Sequence, residues 1–251
     1  MTHATLASAP RTSDLGIDRA FVIQMARVPF IAVGFTLAAW LGQQISPYVP
    51  VVLLCLGMIV AAVVDGWKFK VPNWLTLPLI VSGWIIGLLH SAQIAVGPGP
   101  ITADYAAATP LGGGLGAAVL GTAIGFAMLF PALFVGGMGQ GDVKMQMGFG
   151  SWVGALYGGH EGGWTIALAV CCGMMVGGVI ALAMMLIRGE LHKNLQNFRE
   201  ILTDFKVLAV AGPKYAADRA KQRRPYWHRL PYGIPLCIGF VGYLVYLYAT
   251  V

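Results

Sequence analysis

Seven apolar runs, separated by breaks that alternate between basic and free of Lys and Arg, constrain this chain more than any single motif does. The runs lie at about 20–43, 49–64, 74–96, 111–135, 146–159, 164–187 and 230–250. Most approach the roughly 20 residues that a helix needs to cross about 30 Å of hydrocarbon. The fifth is short and glycine-rich, which predicts a tilted or half-inserted segment. Only 10% of the 251 residues are charged, against about 25% in ordinary soluble domains. The runs lack the polar–apolar alternation of a membrane barrel. The expected fold is all-α, a polytopic helical membrane protein with about seven transmembrane helices.

The basic residues orient it. Lys68, Lys70 and Lys144 fall in even-numbered connections, as do the ten Lys and Arg between Arg188 and Arg229. Arg11, Arg19 and Arg27 belong to the N-terminal tail and the start of the first run, which accounts for all 16. The odd-numbered connections hold none, only Asp104 and Glu161. Lys and Arg mark the cytoplasmic side. The expectation is a cytoplasmic N-terminus, an outside C-terminus, and both Asp65 and Asp142 at the cytoplasmic interface. Adding or removing one span scatters the basic residues over both faces.

Residues 1–19 read as a flexible cytoplasmic tail, since they lack the apolar stretch of a cleavable signal peptide. Cys55, Cys171, Cys172 and Cys237 all sit inside apolar runs with no Cys-x-x-Cys pair. They read as small buried hydrophobes. His160, His192 and His228 are scattered without ligand spacing. No metal, cofactor or nucleic acid is expected.

Chemistry concentrates in two segments. Asp65 ends the second apolar run and is followed by Val71-Pro72-Asn73. Pro72 suits a helix start and Asn73 a helix cap, which together hold a tight re-entry into the third span. An ordinary loop with Trp67 and Trp74 as interfacial residues is the plainer reading. In the second segment Gly136, Gly137, Gly139 and Gly141 precede Asp142, with Lys144 two residues on. Glycines there permit positive φ and close helix approach. Helix packing alone competes with that reading, because Gly83–Gly87, Gly121–Gly125 and Gly173–Gly177 repeat the pattern without an acid. Lys144 serves either to favour ionised carboxylates or to anchor its span. Two carboxylates at one level are what metal-free hydrolysis by water needs: one takes the water proton, the other protonates the leaving amine.

These residues carry a resemblance. The chain resembles the type IV prepilin peptidases, intramembrane aspartyl proteases of the A24 family with a Gly-x-Gly-Asp motif. Gly139-Gln140-Gly141-Asp142-Val143-Lys144 matches that motif and its continuation, Asp65 with Val71-Pro72-Asn73 matches the first aspartate and the segment after it, and Pro231-Tyr232-Gly233 matches the family's late Pro-Tyr-Gly. The resemblance implies an aspartic endopeptidase of the bacterial inner membrane. It would remove the basic leader of prepilin or pseudopilin precursors after a glycine, at the cytoplasmic face. Asp65 and Asp142 would be its catalytic pair, Gly139, Gly141 and Lys144 its active-site loop, and Pro72 and Asn73 positioning residues. The paired Cys-x-x-Cys insert of the methylating members is absent, so the small form is the closer likeness and methyl transfer is not expected.

Residues 20–48 form an extra N-terminal span before a core at 49–251. Within that core, 188–229 is basic, and Leu191, Leu195, Phe198, Leu202 and Phe205 recur at helical spacing. This predicts an amphipathic helix on the anionic inner leaflet, with docking of a partner or precursor as the alternative. Two other functions remain open: an ion-coupled transporter, since intramembrane acids also mark proton relays, and a non-catalytic pilus-assembly scaffold.

Overall fold

The computed structural model describes residues 19–68, 71–92, 94, 96–97, 113–134, 138–189, 203, 210 and 232–250. The expected tail, Lys70, Gly136, Gly137, Pro231 and nearly all of the basic amphipathic segment lie outside the described residues. Among the described residues the chain forms seven helices and no strand. They are α1 (Arg19–Gly42), α2 (Val49–Lys68), α3 (Asn73–Ser91), α4 (Gly114–Phe134), α5 (Gln140–Tyr157), α6 (Gly159–Arg188) and α7 (Gly233–Ala249). Each covers one of the apolar runs. Five of them, α1 to α4 and α6, are long and apolar enough to cross a membrane, while α7 is apolar and slightly shorter.

The boundaries differ from the sequence reading in four places; one is α3, which ends at Ser91, five residues before its expected end. α2 runs four residues past its expected end and carries Asp65 inside the helix. α5 begins at Gln140, so Asp142 lies in its first turn and not in a loop. The expected connection at 160–163 is helical, because Gly158 alone, at φ 82°, turns the chain from α5 into α6. That backbone conformation is cheap only for glycine.

α5 is the core helix. Fourteen of its 18 residues are buried, and it packs most extensively against α4 and α3, with α6, α2 and α7 completing its surroundings. The α4 contact is a backbone approach: a side chain built on Gly121 would collide with the Gly150 carbonyl, and one on Gly150 with that of Gly121. Small residues let helices close to this range, where dispersion does the work that water exclusion does in soluble proteins. Phe149 of α5 stacks on Phe240 of α7 with ring centroids 4.4 Å apart. α1 lays Val28, Ala32, Thr36 and Ala39 inward, a helical stripe, and packs mainly on α3. The outward faces are apolar, as Phe30, Val63, Met175, Val179 and Val245 show. A rind of this kind suits lipid and not water, as expected of a multi-pass membrane protein.

The helices alternate in direction, which defines two ends. At the far end Tyr157 and Tyr248 share a hydroxyl hydrogen bond of 2.8 Å. There His90 pairs through Nδ1 with the Ala155 carbonyl and through Nε2 with the backbone of Val96. At the near end the α2 C-terminus meets the N-termini of α3, α5 and α7.

Candidate active site

The near end gathers the acids. Asp65 is 5% exposed, and its Oδ2 accepts the Gly233 N–H at 3.0 Å. An acid close to the C-terminus of its own helix opposes the helix dipole. The α7 N-terminus offsets this by turning one of its unsatisfied N–H groups onto the carboxylate. Only glycine fits at 233, since an added Cβ would lie 2.8 Å from Asp65 Oδ2.

Asp142 is also 5% exposed. It is the third residue of α5, and its Oδ2 accepts the Gly139 N–H at 3.0 Å. This is the returning half of a capping box; Gly139 has no side chain to make the other half. The second oxygen, Oδ1, is buried with no protein partner. The two carboxyls lie within electrostatic reach of each other. Tyr232 completes the junction: burial and then the Asp142 charge raise its phenol pKa. The start of α7 thus straddles both acids, with Gly233 on Asp65 and Tyr232 beside Asp142.

The loop residues have defined places. A Cβ on Gly141 would come within 2.9 Å of Val71, so the turn before α3 crosses directly over the first turn of α5. Lys144 Nζ donates to Asn73 Oδ1 at 2.8 Å and fastens the same crossing. This corrects one expectation and bears on one of the two readings of Lys144. Asn73 does not cap α3, because the cap position belongs to Pro72, in extended conformation and without a side-chain cap bond. Asn73 has its amide oxygen on Lys144 instead. Lys144 in turn reaches Asn73 and forms no ion pair with a carboxylate; among the described residues the only ion pair is His160–Glu161.

A cleft of about 210 Å³ opens next to this junction, lined by Met138, Gly173, Gly177, Tyr232, Pro235 and Leu236 among others. Met138 precedes the Gly139–Asp142 turn and Tyr232 precedes Gly233, so the cleft between α6 and α7 borders the surroundings of both acids. Among the described residues no three His, Cys, Asp or Glu side chains group as metal ligands. Tyr232 and Gly233, which the structure brings to the two acids, were not singled out as site residues from the sequence; the Pro-Tyr-Gly match was their signal.

A sequence model of the type IV leader peptidase family matches residues 52–182, just over half of the chain and a span that includes both acids. No curated protein and no solved structure matches. With that match alongside the helical membrane architecture, the chain belongs to the type IV leader peptidase family.

Proposed function

We propose that this peptidase is an aspartyl endopeptidase that removes the basic leader of prepilin or pseudopilin precursors, cutting after a glycine at the cytoplasmic face of a bacterial inner membrane. The observation that carries this reading is that two buried carboxyls, Asp65 and Asp142, lie within electrostatic reach of each other at one end of the bundle, each held through one oxygen by a backbone N–H. The cleft between α6 and α7 supports a route for the precursor's apolar helix, which would enter from the lipid and bring its cleavage site beside Met138 and Tyr232. The distribution of Lys and Arg supports the cytoplasmic assignment.

The chemistry follows from one proton shared between two acids. The ionised carboxylate takes a proton from water as the water oxygen bonds to the scissile carbonyl carbon. The protonated partner donates to the amide nitrogen as the carbon–nitrogen bond breaks, leaving a carboxylic acid and an amine. A carrier would instead hold its acids near the midplane, on broken helices. The test is cleavage of a purified precursor followed by mass spectrometry. Wild type should release the leader at one site, and Asp65→Asn and Asp142→Asn should each stop release while eluting as folded protein. Cleavage by either variant near the wild-type rate overturns the reading.

A further inference from the structure

Gln146 is fully buried, and neither its Oε1 nor its Nε2 has a protein partner. The one other buried side-chain atom in that condition among the described residues is Asp142 Oδ1. Both side chains belong to α5, four residues apart, so they share one helix face one turn from each other. Elsewhere the fold satisfies its buried hydroxyls from nearby carbonyls: Thr36 bonds Ala32, Ser82 bonds Leu79, Thr122 bonds Ala118 and Ser151 bonds Gly148. The stem of Gln146 is pressed against α4, where a Cβ on Gly125 would lie 3.3 Å from its Cγ. A buried unpaired amide destabilises a fold, and an apolar side chain of the same shape would not carry that cost.

We propose that Gln146 is a third residue of the catalytic site and that its amide, with Asp142 Oδ1, holds the water that attacks the scissile bond. This rests on the aspartyl-peptidase reading above. A buried water requires two to four polar partners, and the orphaned atoms supply them. The water donates one hydrogen to Asp142 Oδ1 and the other to Gln146 Oε1, which leaves a lone pair for the substrate carbonyl. As the carbon–oxygen bond forms, the first hydrogen passes to Asp142 as a proton. Asp65 delivers the proton to the leaving amine. Gln146 only orients the water, so its loss should slow turnover and leave precursor binding intact.

The experiment compares wild type, Gln146→Met, Gln146→Leu and Asp142→Asn as purified full chains in detergent, with kcat and KM for a precursor and a thermal unfolding midpoint for each. Gln146→Met should lower kcat by roughly 10- to 100-fold, the scale of one lost transition-state hydrogen bond. Its KM should stay within about twofold, and its midpoint should equal or exceed that of wild type. A wild-type kcat in both Gln146 variants overturns the inference, as does a rise in KM at unchanged kcat. A fall in kcat matched by a lower midpoint in both variants assigns Gln146 to packing and also overturns it. Asp142→Asn separates the two proposals: if it still cleaves, the aspartyl reading itself has failed, whereas an inactive Asp142→Asn beside fully active Gln146 variants sinks only the role of Gln146.

Discussion

The two ends of α5 contain similar polar groups and treat them in opposite ways. Toward the far end Ser151, Trp152 and Tyr157 are all paired. Trp152 Nε1 donates to the Leu79 carbonyl at 3.0 Å and to Ser82 Oγ at 2.9 Å, Ser151 bonds Gly148, and Tyr157 bonds Tyr248. At the near end Asp142 uses one oxygen, and Gln146 uses neither end of its amide. Satisfied networks rigidify a core, whereas unsatisfied groups are strongly disfavoured unless something else engages them. One end of this helix pairs its polar groups, and the other leaves buried polar atoms unpaired, which are the atoms that the proposed chemistry uses.

Substitutions can break that contrast. The largest effect is expected from Asp65→Asn and Asp142→Asn, each lowering precursor cleavage by at least about 10³-fold, given that acid–base groups contribute some 10²–10⁴ and the pair acts as a unit. Circular dichroism should show both variants helical. Gly121→Val should act on the other axis: it forces α4 from α5 and should cost about 3 kcal/mol or more, read as loss of monodisperse protein. Trp152→Phe removes one donor and leaves the Leu79 and Ser82 partners less satisfied. It should cost about 1–3 kcal/mol in stability with cleavage per folded molecule unchanged. The smallest effect is expected from Tyr157→Phe, about 1 kcal/mol, read in the unfolding midpoint.

Much of the fold is legible from hydropathy, because a span must satisfy its backbone internally and the lipid sets its length. The helix ends are less legible. Asp65 and Asp142 look like loop residues to a reading that ends spans at the first charge, but α2 continues to Lys68 and α5 starts at Gln140, which places both within helix. Asn73 shows the same limit. Its local sequence suits a cap, and a lysine 71 residues later takes its side-chain oxygen instead.

The sequence by itself determined the helical membrane class, the order of the seven helices, and the two segments that contain Asp65 and Asp142. These follow from local chemistry: apolar length, charge placement and motif. Only the tertiary structure decided that the α7 N-terminus bonds Asp65 and comes within electrostatic reach of Asp142, that Lys144 ties α5 to α3, and that Gln146 is sealed against α4 without a partner. Those depend on which helices become neighbours, and packing between distant segments sets that. A buried carboxylate or amide acquires its character from what surrounds it, and its own segment does not specify those surroundings.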